Sequence, residues 1–215
     1  MRRKATVFLS IFVTMNYLAH IYFSYNDPDI LVGNFAADFI SNKHVKLLTD
    51  EQVNGVLLHR LIDAYTDVNE TVRKSTKRLR KVQGKYAPVV IDIIFDYILA
   101  KEWERFHPEG LQVYKQNAYG LLLNHLEGFP ERARGKVQGM ANGDFIRSYE
   151  SLDGLHYVFE RMDKRTKFPS RFRDATEQLR LEEDQFVEDF LLFFPQTESK
   201  VQAFLKGLEV RNTYT

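Results

Sequence analysis

The segment from Val89 to Leu99 is apolar or aromatic at every position except two aspartates, Asp92 and Asp96. A helix that is apolar on all sides is a buried helix. The aspartates are four residues apart, so on a helix their Cβ atoms lie about 6 Å apart on one face and their charges repel. Burying an unpaired carboxylate costs several kcal/mol, a large part of a domain's stability of about 5–15 kcal/mol. The segment therefore predicts a central helix with a cation beside it, either an Arg or Lys side chain or a metal ion.

The rest of the chain has the periodicity of helices, because apolar residues recur at spacings of three and four and strict alternation is hard to find. The 215 residues are 44% hydrophobic and 27% charged, which is typical of one globular domain. We predict an all-α, single-domain helical bundle. Its helices are expected at 50–68, 70–82, 88–106, 111–126, 130–141, 151–164, 171–194 and 197–208.

Helix boundaries are indicated by capping residues and prolines. Thr49 and Gln52 form a capping box at the start of the helix expected at 50–68. Ser151 and Thr197 are predicted N-caps, and Pro195 is predicted to separate the last two helices.

The N-terminal segment 1–14 begins with basic residues and continues into an apolar run, as secretory signals do. The run from Ala5 to Val13 is too short to cross a bilayer, which takes about 20 residues, and no cleavage site follows it. Met15 offers a second start site for translation. We interpret residues 1–14 as an N-terminal extension or signal-like segment, residues 15–210 as the helical domain, and the protein as cytoplasmic without stable membrane association.

The composition of the chain excludes several kinds of catalytic and binding chemistry. The chain has no cysteine, which excludes disulfides, Cys-ligated metals and thiol nucleophiles. Its 30 Lys and Arg and 29 Asp and Glu give a net charge of +1, which argues against nucleic acid as a partner. It also lacks GxxxxGK[ST], GxGxxG, HExxH and GxSxG motifs. Catalysis would therefore depend on oxygen and imidazole groups.

Two further polar pairs have the same spacing as the two aspartates. His59 and Asp63 lie among apolar residues, and Asn34 and Asp38 are flanked by small and apolar ones. Each pair alone is more typical of a hydrogen-bonded core, but three in one chain favour a metal site over three separate polar clusters. Many carboxylates and no sulfur favour Mn²⁺ or Mg²⁺, and such an ion suits phosphoester hydrolysis. Arg60 is either a second cation on the phosphate or a solvated side chain.

The remaining histidines have no acidic partner at helical spacing, and we expect structural or surface roles for four of them, His44, His107, His125 and His156. His20 follows an apolar stretch and has no local partner. No role is predicted for it.

These motifs, in this order, resemble the acyl carrier protein phosphodiesterases, a divergent branch of the HD-type metal phosphohydrolases. The resemblance covers most of the chain from Met15 and rests on the segments Met15–His20, Gly33–Phe39, His59–Asp63 with Thr66-Asp67, and Ala87-Pro88 leading into Asp92 and Asp96. The chain has His59-Arg60 where the wider HD class has an adjacent His-Asp pair.

The resemblance implies an HD-domain-like fold and an enzyme that hydrolyses the phosphodiester between 4′-phosphopantetheine and a serine of holo acyl carrier protein. The expected cofactor is Mn²⁺, with Mg²⁺ as the alternative. The expected metal ligands are Asp38, His59, Asp63, Asp92 and Asp96. The expected catalytic residues are His59, Asp63 and Arg60.

Residues 73–85 form a basic stripe without any acidic residue, and its members are Arg73, Lys74, Lys77, Arg78, Arg80, Lys81 and Lys85. The stripe is either a solvated face or, because carrier proteins are acidic, their docking surface. Nucleic acid fits less well, since no aromatic residues alternate with the charges.

The sequence is also compatible with two other functions. One is an HD-like phosphohydrolase acting on a nucleotide or a signalling phosphoester. The other is a helical module that binds carrier protein without catalysis.

Overall fold

A computed structural model describes residues 17–24 and 27–212, so the predicted extension and Met15 lie outside the described residues. Within these ranges the chain forms helices and no strands, which confirms the all-α bundle. The α-helices are α1 Tyr17–Ser24, α2 Pro28–Ala36, α3 Asn42–Val45, α4 Asp50–Val68, α5 Glu70–Gln83, α6 Ala87–Lys101, α7 Leu111–Asn124, α8 Glu131–Asn142, α9 Leu152–Arg165, α10 Ala175–Leu181 and α11 Glu183–Asn212. None of the helices in these ranges is long and apolar enough to cross a membrane.

Helix α6 is the predicted central helix, and it packs against α1, α5, α9 and α11. Its apolar side chains are buried around the whole circumference, as the absence of a polar face predicts. The helix ends at Lys101, earlier than the predicted 106, and a 3₁₀ turn over Trp103–Arg105 follows. The Trp103 indole N–H donates to the Glu109 carbonyl at 2.7 Å, which holds this turn against the next loop.

The predicted caps at Thr49 and Ser151 are confirmed. The Gln52 N–H donates to Thr49 Oγ1 at 3.2 Å, and the Thr49 N–H donates to the Gln52 side chain at 3.4 Å. The Gly154 N–H donates to Ser151 Oγ at 3.1 Å. Each such cap stabilises a helix terminus by about 1 kcal/mol.

The predicted boundary at Pro195 is wrong, because α11 continues through it. The helix predicted at 171–194 is instead a 3₁₀ turn, α10 and the first part of α11. A proline inside a helix costs about 3 kcal/mol, but Phe190, Phe194 and Val201 are buried on one face on both sides of it. Burying each contributes about 1.5–3 kcal/mol, which offsets that cost. Thr197 is therefore inside the helix, where its hydroxyl donates to a carbonyl of the preceding turn.

Helices α2 and α4 cross in backbone contact at two glycines. A Cβ atom at Gly33 would lie 1.9 Å from the Gln52 carbonyl oxygen, and one at Gly55 would lie 2.2 Å from the Ile30 carbonyl oxygen. Only glycine fits at such a close approach. The crossing brings Asn34, which follows Gly33, to within hydrogen-bond distance of His59.

Candidate metal centre

Two histidines from different helices stack beside one asparagine. The rings of His20 on α1 and His59 on α4 have centroids 4.2 Å apart. Their Nδ1 atoms lie 2.8 Å and 3.2 Å from Asn34 Oδ1. The Asn34 side-chain N–H donates to the His20 carbonyl at 3.2 Å, which fixes the orientation of the amide. Because an amide oxygen can only accept, both imidazoles carry a proton on Nδ1.

The opposite edges of the two rings face carboxylates. His20 Nε2 lies 3.4 Å from Asp63 Oδ1, and His59 Nε2 lies 3.2 Å from Asp63 Oδ2 and 3.6 Å from Asp38 Oδ1. With Nδ1 protonated, a neutral imidazole has only a lone pair at Nε2, and two lone pairs facing each other repel. A proton or a metal ion between nitrogen and carboxylate removes this repulsion.

The charges at the site favour a proton or a metal ion between the imidazole nitrogens and the carboxylates. Burial lowers the pKa of His59, but the hydrogen bond and charge of Asp63, with the charge of Asp38, outweigh burial and raise it above the ordinary value. Burial raises the pKa of Asp63, but the two histidines more than compensate and hold it well below its usual range. Asp63 is therefore ionised at neutral pH and can bind a cation.

The donor set fits a divalent metal ion. One ligand atom each from His20, His59 and Asp63 can be chosen so that all lie within 4.8 Å of one another. His20 Nε2 is buried and has no hydrogen bond, so its lone pair is available to bind a cation. In metal sites the second ring nitrogen of a histidine is held by an acceptor, and here Asn34 holds both.

Asp92 lies on α6 close to this group. Within the part of the chain that the structure describes, its carboxylate has no hydrogen bond or ion pair. Burial raises its pKa well above the ordinary value, and the nearby charges of Asp63 and Asp67 add to the effect. Asp92 also lines a cavity of about 140 Å³ together with Arg73 and Arg80. A cation beside Asp92 would offset the cost of burying its charge.

Asp96 has partners other than the predicted cation. It accepts the backbone N–H of Leu18 at 2.9 Å and that of Ala19 at 3.0 Å, one on each carboxylate oxygen. Burial raises its pKa to about 8, although these two donors act in the opposite direction. The two bonds tie the start of α1 to α6 and so position His20. The role of Asp96 as a metal ligand stays a prediction.

Arg60 points away from the other predicted residues. It is exposed, and its guanidinium donates to the Asn42 side chain at 2.7 Å. Consecutive residues on a helix point about 100° apart, so His59 can face the core while Arg60 faces solvent. The catalytic role of Arg60 stays a prediction.

The predicted basic stripe divides into residues with different surroundings. Lys74 and Arg78 bind Asp189 of α11, which is fully buried and also accepts the Ser75 hydroxyl at 2.7 Å. These two cations hold α5 against α11. Burial raises the pKa of Asp189, but the hydrogen bonds to Ser75, Arg78 and Lys74 outweigh it and keep the pKa below the usual range.

The other members of the stripe remain exposed. Arg73 and Arg80, seven residues apart on α5, line the cavity beside Asp92. Lys77 and Lys81 are exposed outside it. The stripe is therefore partly a structural clamp, partly a cavity wall and partly a solvent-facing surface.

His20 and the supporting role of Asn34 were the parts of the site that spacing did not predict. The partners of His20 lie on α2 and α4, and no local pattern shows contacts between helices. The available signal was the segment Met15–His20, which contributed to the family resemblance.

The chain is similar to one family of known proteins. Residues 15–197 match the model of the family described as acyl carrier protein phosphodiesterase. The proteins of that name from Salmonella paratyphi A and Salmonella newport are each 26% identical over 183 residues, which cover 85% of this chain and 95% of each relative. That from Enterobacter sp. is 25% identical over the same coverage. No solved structure matches the chain. The resemblance predicted from the motifs is confirmed.

Proposed function

Because this chain belongs to the acyl carrier protein phosphodiesterase family of enzymes, we propose that it releases 4′-phosphopantetheine from holo acyl carrier protein in a metal-dependent hydrolysis. The observation that carries the metal dependence is the pair of Nε2 atoms, on His20 and His59, that face Asp63. In the reaction the bond between phosphorus and the serine oxygen breaks, water supplies the new oxygen on phosphorus, and the serine oxygen takes a proton.

His20, His59 and Asp63 would hold the ion, with Asp38 and Asp92 as further carboxylates within electrostatic range of Asp63 or His59. The ion that we propose is Mn²⁺, with Mg²⁺ as the alternative. When bound it would polarise a phosphoryl oxygen and lower the pKa of a bound water. Asn34 keeps both imidazoles in the tautomer that leaves Nε2 free to bind.

The cavity beside Asp92 supports a place for the phosphodiester. Arg73 and Arg80 bring two cations to it, and Thr66 and Thr76 also line it. Guanidinium groups bind phosphate oxygens with short, charge-assisted hydrogen bonds. We therefore transfer the role first predicted for Arg60 to these two arginines, and Arg60 stays an alternative.

The exposed cations of α5 support docking of the acidic carrier protein. Lys77 and Lys81 lie on the same helix as the two cavity arginines, so they would attract the carrier toward the side where the phosphodiester binds. Such charges act through a screening length of about 8 Å at physiological ionic strength and raise the association rate.

The test is hydrolysis of holo acyl carrier protein by purified protein with Mn²⁺, followed by mass spectrometry of the carrier. We expect loss of the phosphopantetheine mass, abolition by chelator, and no activity in His20→Ala. The matched control is His44→Ala, because His44 is only half-buried and its side chain contacts Ser41 and Arg132, outside the metal centre.

A parallel panel of nucleotide phosphoesters separates the alternatives. Cleavage of a nucleotide but not of the carrier would contradict the proposed substrate and would still agree with the proposed metal site. Carrier binding without cleavage of any substrate would indicate a binding module instead.

A further inference from the structure

A cavity with a volume of about 580 Å³ lies between α8 and α9, outside the metal centre. Its lining includes the aromatic residues Tyr17, Phe39 and Phe145 and the methionines Met140 and Met162. A volume of this size, lined by apolar side chains with a few polar groups, is typical of sites for small molecules, which measure about 300–1,000 Å³.

Two residues of the cavity wall, Tyr17 and Phe39, lie close to the metal centre. Phe39 follows Asp38 directly in the chain, and its ring stacks on Tyr17 with centroids 6.4 Å apart. Burial, followed by the charges of Asp38 and Asp96, raises the pKa of Tyr17 well above its ordinary value. The phenol therefore stays neutral, and two carboxylates of the candidate site act on a residue of the cavity wall.

Two glycines keep the cavity open. Gly135 and Gly139 are one turn apart on α8 and line it, and a Cβ atom at either would meet nothing within 4 Å. A glycine inside a helix costs about 1 kcal/mol relative to alanine. Neither glycine is required by the backbone or by a close contact, and larger side chains here would fill the cavity.

The opening carries positive charge. Lys136 lies 5.6 Å above the Phe39 ring, and Arg161 lies 5.6 Å from the Tyr157 ring centroid. Arg165 also lines the cavity and is exposed. An apolar interior with a cationic edge suits a flexible ligand that has an apolar chain and is attached to an anionic group.

We propose that this cavity, which we call the α8–α9 groove, binds the pantetheine arm together with an acyl chain carried on its thiol. The inference rests on the proposed function. A phosphodiester has two sides, and two cavities large enough to hold parts of the substrate have residues near the metal centre: the cavity of about 140 Å³ beside Arg73 and Arg80 on α5, and the α8–α9 groove. The protein side of the substrate is matched by the exposed cations of α5, which leaves the groove for the arm.

The groove predicts a preference for longer acyl chains. Each buried CH₂ group contributes about 0.8 kcal/mol, which is about fourfold in affinity. Octanoyl-pantetheine, with four more CH₂ groups than butyryl-pantetheine, should therefore bind at least about tenfold tighter, even when only part of the added chain is buried.

The test is calorimetric titration of metal-free protein with butyryl- and octanoyl-pantetheine, which contain no phosphodiester. We expect the wild type to show the chain-length preference, and Gly135→Leu and Gly139→Leu to lose it. The matched control is Gly207→Leu, because Gly207 is an exposed helical glycine of α11 with equally open surroundings. All three variants should melt at or above the wild-type temperature, since leucine favours the helix.

Equal binding of the two ligands by the wild type, absence of binding, or a preference retained in both groove variants would each overturn the assignment. Failure of the proposed function gives a different result, because it appears as uncleaved holo carrier protein whatever the titration shows.

Discussion

Asn34 supports both histidines of the candidate centre, and its replacement by leucine tests the metal assignment most directly. The side chain is fully buried and accepts from the Nδ1 atoms of His20 and His59. Leucine is similar in size but accepts nothing, so Asn34→Leu leaves two buried N–H groups without a partner. Asn34→Asp keeps an acceptor for both, but it loses the donor to the His20 carbonyl and adds a buried negative charge.

The magnitude follows from the number of groups that lose a partner. An unsatisfied buried donor costs about 1–3 kcal/mol, so Asn34→Leu should lower the free energy of unfolding by roughly 2–6 kcal/mol. Loss of a supporting hydrogen bond also lowers metal affinity by about 10–100-fold. Each tenfold loss reduces the stabilisation by saturating Mn²⁺ by about 1.4 kcal/mol.

The assay is urea unfolding in chelator and in Mn²⁺, with calorimetric Mn²⁺ titration of the folded proteins. We expect a clear Mn²⁺-induced stabilisation in the wild type, a small one in Asn34→Leu and partial recovery in Asn34→Asp. Asn117→Leu, at an exposed position of α7, is the control for the substitution itself. Mn²⁺ affinity in Asn34→Leu equal to that of the wild type would refute the assignment of the two histidines as ligands.

Three further predictions follow from the packing and the charges. Gly55→Ala should unfold at a much lower temperature and lose Mn²⁺ binding, since its Cβ would meet the Ile30 carbonyl oxygen at 2.2 Å. A melting temperature like that of the wild type would contradict the close crossing of α2 and α4. Arg80→Ala should lower kcat on holo carrier protein. Lys77→Ala on the same helix should lower only kcat/KM, and this effect should be smaller at high salt. Equal effects in the two variants would contradict the separate roles of Arg80 in the cavity and Lys77 in docking. The pKa of Asp189 is held below its unfolded value, so its stabilisation is present above about pH 4 and lost as pH falls through the folded pKa; Asp189→Asn should melt lower at pH 7 and show a weaker loss on acidification.

Features that depend on residues within a few turns of one another were predictable from the sequence. The helix expected at 50–68 has the observed bounds, because its capping box and its apolar spacing are both local. The buried character of α6 followed in the same way from a segment with no polar face. His59 and Asp63 were paired correctly because four residues make one helical turn.

The helix that supplies the partner of each buried polar group was not predictable from the sequence and became visible in the packing of the helices. Asp96 meets backbone N–H groups of α1, and Lys74 and Arg78 meet Asp189, which is more than 100 residues away in the chain. His20 joins His59 because the glycine crossing of α2 with α4 and the Asp96 contact of α6 with α1 bring four helices together. Spacing along a sequence reports contacts within a helix, whereas contacts between helices depend on how their apolar faces pack.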